Sequence, residues 1–305
     1  MGFSRRHLLT GATAAAAWRA AAQSRDAGGP KARTTPEICL YSMALIQIGY
    51  DELGPLLRSL GVDGCDLAVM PGSHIRPEHF DLDVERAIEA ITGAGLDVPV
   101  LSTDYTALGR EGGPGADTTR IMAWFASQMG VPLFRAGHWK YTGGEIEVRL
   151  AEVQRDLAGL AALARAANMT VLIQNVAGEV GGAIWDTHML IRGMDPRIIG
   201  YDYDAGYAVE QAGPGWETAF RLALPRIRMV TARDFYWTKE GRAWKRVACP
   251  LGEGMVDWPK LFASLARARF TGPVSVTVDY QPADGPAAIR RDVAFLRKQV
   301  EAAYG

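Results

Sequence analysis

The chain has 305 residues, 48% of them hydrophobic and 22% charged, and a formal net charge of −1. A chain this long buries roughly three quarters of its unfolded surface, so a large core is available, while the balanced charge offers no basic face of the kind nucleic acid selects. Three widely spaced cysteines, Cys39, Cys65 and Cys249, exclude a disulfide framework and a zinc-knuckle spacing.

Residues 1–23 differ from the rest. Ser4-Arg5-Arg6-His7-Leu8-Leu9 is similar to a twin-arginine export signal, and it is followed by a short run of small and apolar residues and by Ala20-Ala21-Ala22, an A-x-A-type cleavage site. That run is too short to span a bilayer. The expectation is a periplasmic or secreted protein: an export signal at 1–23, a linker at 24–35, one folded domain at 36–305, and no membrane segment in the mature chain.

From Glu37 onward, short apolar runs alternate with longer amphipathic segments. The pattern predicts strands over 37–41, 64–69, 98–102, 133–137, 170–175, 198–204, 227–233 and 274–279. Helices are predicted over 50–60, 81–94, 118–129, 145–167, 183–194, 216–224, 258–268 and 287–303. The helix over 145–167 shows the logic: Leu150, Val153, Leu157, Leu160 and Leu163 fall on one stripe. Strands alternating with helices imply right-handed βαβ units and a parallel sheet. About eight such units fit a closed (β/α)8 TIM barrel, as a single domain, better than an open sheet. No G-x-G-x-x-G follows the first strand, and no H-E-x-x-H, G-x-S-x-G or P-loop occurs, so dinucleotide, zincin, serine-hydrolase and kinase readings have no support.

In such a barrel the active site lies at the carboxyl ends of the strands. Side-chain parity then selects residues. On the last strand Val274, Val276 and Val278 share one face, and Ser275, Thr277 and Asp279 the other. Thr231 pairs in parity with Arg233, and Asp202 with Asp204. Gln174, Asp202, Asp204, Thr231, Arg233, Thr277 and Asp279 would line a polar cavity fit for a polyhydroxylated ligand, or form an internal ion-pair network centred on Arg233. His74 and His138 follow strands two and four and are candidates for sugar contact or proton transfer. Asn175, Asp234, Trp237 and Glu253 follow strands five and seven and join the candidate substrate-binding set. Asp257 reads as the cap of the helix that begins at Trp258.

Several phrases occur in order along the chain: Asp66-Leu67-Ala68-Val69-Met70-Pro71-Gly72-Ser73-His74, Gln174-Asn175-Val176-Ala177-Gly178, Gly200-Tyr201-Asp202-Tyr203-Asp204, Arg233-Asp234-Phe235-Tyr236-Trp237, Pro250-Leu251-Gly252-Glu253-Gly254-Met255-Val256-Asp257 and Asp279-Tyr280. Together they resemble the xylose-isomerase-like barrels of the sugar phosphate isomerase/epimerase type, over nearly all of 37–303. The resemblance implies a sugar isomerase or epimerase that removes a proton beside a carbonyl. It also implies one divalent cation (Mn, Mg or Zn), held by a Glu, an Asp, a His and a Glu at the ends of strands five to eight. Matched by strand end, those positions hold Gln174, Asp204, Thr231 and Asp279. Only Asp204 is unchanged; Asp279 is a shorter carboxylate, Gln174 a neutral oxygen donor and Thr231 a poor ligand. The reading is that Asp204, Asp279 and Gln174 are the metal-ligand candidates, with Asp204, Asp279 and Arg233 catalytic, since a guanidinium can also steady an enediolate oxygen. The expected partner is a small unphosphorylated carbohydrate. A keto-glycoside lyase of the same fold and a non-catalytic carbohydrate-binding barrel are the alternatives.

Overall fold

The computed structural model describes residues 33–108 and 116–305. The export signal expected at 1–23, and the expected linker as far as residue 32, lie outside the described residues. Parallel strands β1 (Ile38–Tyr41), β2 (Gly64–Val69), β3 (Asp97–Thr103), β4 (Leu133–Arg135), β5 (Thr170–Gln174), β6 (Ile199–Asp204) and β7 (Ile227–Ala232) form most of a barrel. After β7 the chain makes an antiparallel hairpin of β8 (Asp234–Glu240) and β9 (Ala243–Cys249) outside the barrel; β10 (Val274–Val276) then pairs with β7 and β1 and closes it. Around it run α1 (Tyr50–Leu60), α2 (Phe80–Gly93), α3 (Ala116–Gln128), α4 (Ile146–Ala166), α5 (Ile184–Ile191), α6 (Ala205–Ala212), α7 (Trp216–Ala223), α8 (Trp258–Arg267) and α9 (Gly285–Tyr304). Asp257 caps α8 by accepting from the Lys260 amide, as its position predicts. Among the described residues no helix is long and apolar enough to cross a membrane.

Alternation sorts the strand residues into two environments. Val274 and Val276 are buried in the main core, as the apolar face of a barrel strand under its helices should be. Ser275, of opposite parity, is buried inside the barrel against residues of other strands. The barrel interior is layered. Val100, Leu133, Leu172 and Met229 form a small apolar cluster of their own. One step toward the carboxyl ends, the same faces of the same strands carry Ser102, Arg135, Gln174 and Thr231. The next step reaches the mouth, where Arg233 follows Thr231 and Asp204 follows Asp202.

Two elements depart from the sequence expectation. The pattern predicts no helix between 204 and 216, yet α6 starts one residue after β6 ends. Its buried face is Ala205, Gly206, Ala208 and Val209, too small and too short to register as a stripe. The hairpin β8–β9 was likewise not predicted, although 234–249 contains a turn signal at Glu240-Gly241-Arg242, with Gly241 at φ 63°. The expected last strand over 274–279 is shorter: ladder pairing stops at Val276, and Asp279 lies on the loop beyond it.

Candidate active site

The first polar layer is sealed. Asp66 on β2, Arg135 on β4 and Asp202 on β6 are all buried. Arg135 Nη1 lies 3.2 Å from Asp202 Oδ2 and 3.8 Å from Asp66 Oδ2. The Ser102 and Ser275 hydroxyls donate to the two oxygens of Asp66, and Thr231 Oγ1 donates to Asp202 at 2.8 Å. Burial pushes both carboxyls above their usual range, and Arg135 works against that. Burial also acts to lower Arg135, but Asp66 and Asp202 outweigh it and the guanidinium is held charged.

Gln174 joins this layer to the mouth. Its Nε2 donates to Thr231 Oγ1 at 3.3 Å and to Asp204 Oδ2 at 3.1 Å. Asp204 ends β6 and caps α6, so its Oδ1 accepts from the Tyr207 amide at 2.9 Å. Its Oδ2 lies 2.7 Å from Arg233 Nε. Arg233 Nη1 in turn lies 3.3 Å from Asp279 Oδ2 and donates to the Tyr207 hydroxyl at 3.2 Å, with the guanidinium 4.5 Å from the Tyr207 ring centre. Gly206 permits this approach: a Cβ there would lie 2.7 Å from Arg233 Cγ. Burial raises the Asp204 carboxyl to about 6 against the pull of Arg233. Arg233 is lowered by burial but raised further by Asp204, Tyr207 and Asp279, and so stays charged.

A second guanidinium, not foreseen from the sequence, enters from the hairpin. Arg246 on β9 places Nε 2.7 Å from Glu210 of α6 and Nη1 3.6 Å from Asp279 Oδ2. It also stacks 5.4 Å from the Tyr207 ring centre and 5.0 Å from that of Phe235. Asp279 is thus flanked by two arginines while its side chain stays 23% exposed. Thr277 Oγ1 is buried nearby in sequence with no protein partner.

The remaining expected site residues divide. Asn175 is spent on the backbone of Asp204: its Nδ2 donates to the Asp204 carbonyl at 3.0 Å and its Oδ1 accepts from the Asp204 amide at 2.8 Å. It positions Asp204 and is fully buried. Asp234 is a correction of the same kind. It is fully buried and accepts from the Phe235, Gly252 and Val256 amides and from Trp258 Nε1, tying the hairpin base to the loop before α8. Gly254 fits over it, since a Cβ there would lie 2.1 Å from Asp234 Oδ1. Glu253 faces solvent 3.7 Å from Arg291 of α9, outside the strand-end cluster. His74 is buried, with Nε2 3.1 Å from the Ile48 carbonyl, and burial lowers it to the neutral form; its contacts are with the β1–α1 connection and α1. His138 does stand at the mouth. Its residue is exposed, yet enough protein surrounds the ring that burial, with Arg135 and Arg233, pushes it down to about 4. Trp237 lies on the hairpin, half exposed. A groove of about 560 Å³ between α7 and α8, lined by Trp216, Phe220 and Lys260, belongs to the outer helical layer and contains none of these groups.

Residues 55–299 match the xylose isomerase-like TIM barrel family. The chain belongs to that family. Its fold is shared with a 3-keto-D-glucoside 4-epimerase from E. coli, at 15% identity over 86% of this chain and 99% of the other, TM-score 0.68. An L-ribulose 3-epimerase aligns at 17% identity over 88% and 95%, TM-score 0.67. A xylose isomerase-like TIM barrel protein from Mycobacterium smegmatis, in complex with magnesium, aligns at 14% over 89% and 98%, TM-score 0.70. No curated protein sequence matches the chain. At these identities the likeness to the solved structures is one of fold.

The family resemblance points to a divalent cation, and the donor set here does not fit one. Among the described residues no three His, Cys, Asp or Glu side chains converge. Gln174 turns its amide nitrogen, not its oxygen, toward Asp204. Both oxygens of Asp204 already have donors, and the Arg233 guanidinium fills the space between Asp204 and Asp279. Asp204, Asp279 and Gln174, expected as ligands, are instead arranged around a fixed organic cation.

Proposed function

We propose that the protein is a sugar epimerase or isomerase that removes a proton beside a carbonyl of an unphosphorylated sugar or keto-glycoside. The observation that carries this is the Arg233 guanidinium at the strand ends, bonded on one side to buried Asp204 and on the other to the part-exposed Asp279. Asp204 has no oxygen free for chemistry; it fixes Arg233. Asp279 keeps Oδ1 without a protein partner among the described residues, so it is the group able to take a proton. A substrate carbonyl oxygen bound to Arg233 draws that charge away from Asp279 as the oxyanion forms. Asp279 therefore becomes a better base as it accepts the proton. A proton delivered to the other face of the same carbon from solvent water, with Asp279 keeping the one it removed, gives an epimer; delivery of the Asp279 proton to the neighbouring carbon gives an isomer. His138, neutral at ordinary pH, is placed to accept a hydrogen bond from a sugar hydroxyl. Two fold relatives are named as sugar epimerases, which agrees with this reading.

Expulsion of a glycosidic oxygen from a keto-glycoside begins with the same proton transfer, so a lyase shares this site. The N-terminal twin-arginine-like sequence supports a periplasmic or secreted setting for either. The test is a screen of purified protein against free aldoses, ketoses and 3-keto-glycosides in deuterated water, followed by NMR. Solvent deuterium at the carbon beside the carbonyl, lost in Asp279→Asn, is the expected result. Full exchange by Asp279→Asn overturns the assignment.

A further inference from the structure

The hairpin brings a second group of side chains to the mouth. Its register pairs Phe235 with Ala248, Trp237 with Arg246 and Lys239 with Trp244. Alternation therefore puts Phe235, Trp237, Lys239, Trp244 and Arg246 on one face. That face leads into the cup, because Arg246 reaches Glu210 and Asp279 from it. Phe235 is buried beneath Arg246, and Trp237 stands edge-on to Phe235 with ring centres 6.1 Å apart. Farther out, Trp237 and Trp244 are 40% and 65% exposed, and Lys239 Nζ lies 5.9 Å from the Trp244 ring centre.

A buried polar atom stands at the inner end of this surface. Arg246 Nε forms an ion pair with Glu210 without a hydrogen bond, and its Nη2 is buried with no hydrogen-bond partner. A buried donor left without an acceptor is costly unless a ligand oxygen takes it. Charge narrows the ligand. At the mouth, Arg233 and Arg246 already face Asp204, Glu210 and Asp279, so their charge is matched by carboxylates. An anionic ligand is disfavoured there, and a neutral one with hydroxyls and an apolar ring face fits.

We propose that this hairpin face is an outer subsite for the second, non-reacting sugar ring of a glycoside. The proposal rests on the sugar reading of the cup and extends it to a substrate class, glycosides of at least two units. Trp237 and Trp244 stack on the C–H face of that ring, and Arg246 Nη2 donates to an oxygen near the glycosidic bond.

Calorimetric titration of the full chain with glucose, cellobiose, maltose and trehalose tests this. At least one disaccharide is expected to bind tenfold or more tightly than glucose. Trp244→Ala is expected to lower its affinity about tenfold while leaving glucose affinity and the melting temperature unchanged, and Trp237→Ala is expected to lower disaccharide affinity as well. Glucose binding with no gain for any disaccharide overturns the subsite and leaves the cup as a sugar site. Equal loss for glucose and disaccharide in Trp244→Ala also overturns it. So does an unchanged disaccharide affinity accompanied by conversion of a dimer to a monomer, which would make the face a contact between copies. Binding of neither sugar class overturns the subsite, while deuterium exchange into ketoses and 3-keto-glycosides decides separately on the reading beneath it.

Discussion

In the inner polar layer, Arg135 stands between Asp66 and Asp202, every carboxylate oxygen has a donor, and Arg135 Nε, left without a hydrogen-bond partner, is closed off from water. In the mouth layer, Arg233 stands between Asp204 and Asp279 in the same way, but Asp279 is part exposed and Thr277 Oγ1 and Arg246 Nη2 have no protein partner. Both layers repeat one device, an arginine between two aspartates. The difference is closure. A sealed charge triad acts on the fold, because removing one member strands the others away from water. An open one keeps unpaired donors and acceptors that a ligand can complete.

Arg135→Met breaks the sealed triad and carries the largest expected effect. It leaves Asp66 and Asp202 buried without their counter-charge, and a loss of about 3–5 kcal/mol is expected. Thermal unfolding followed by circular dichroism reads it; a melting temperature within a few degrees of wild type would mean the layer is open to water after all. Asp279→Asn probes the open triad. Turnover should fall roughly 10²–10⁴-fold, while stability changes by about 1 kcal/mol or less because the carboxylate is part exposed. The pair of variants separates the layers: one should unfold the protein, the other silence it.

Glu37, just before β1, is a buried carboxylate at the opposite end of the barrel, and it is less well paired. Burial raises it to about 7, overcoming an Arg33 contact at 3.2 Å, with Asp97 and Asp63 adding to the rise. A carboxyl whose folded value lies above its unfolded 4.5 stabilises while protonated. That contribution is full below pH 4.5 and is lost as pH rises through about 7. Glu37→Gln cannot ionise, so relative to wild type it should gain stability across that window, by roughly 3 kcal/mol at most. Urea unfolding at several pH values shows the difference, and parallel curves would refute it. The smallest effect belongs to His138, where the sign reverses. Its folded value of about 4 lies below the ordinary 6.5, so its contribution is present above 6.5 and lost as pH falls toward 4. His138→Gln should lose less stability than wild type on that acid side, and only modestly, because the residue is exposed.

Strand parity was legible because it is local. Valines at 274 and 276 had to face the helices, and so Ser275 had to face inward, whatever the other strands did. The same rule carried Asp202, Asp204 and Thr231 into the interior and Arg233 to its mouth. It did not mark Asp66 and Arg135 as ion-pair partners, although both sat in predicted strands. Each is a single charge in a short apolar run, and nothing in one strand says which charge stands across the barrel. Arg246 is hidden further, because its place depends on a hairpin that the strand–helix pattern does not predict. Asp234 and Asn175 depart from expectation for the opposite reason. Their positions beside strand ends are right, but their side chains are consumed by nearby backbone, and only the folded loop shows that.

The sequence by itself determined the alternation of strands and helices, the single barrel, and which side of each strand is polar, since these follow from the repeat of two and the repeat of 3.6. Tertiary structure decided who pairs with whom. Barrel closure sets Arg135 between Asp66 and Asp202, and the approach allowed by Gly206 sets Arg233 between Asp204 and Asp279. Those pairings turn on ångström distances between strands far apart in the chain, and no local pattern encodes them.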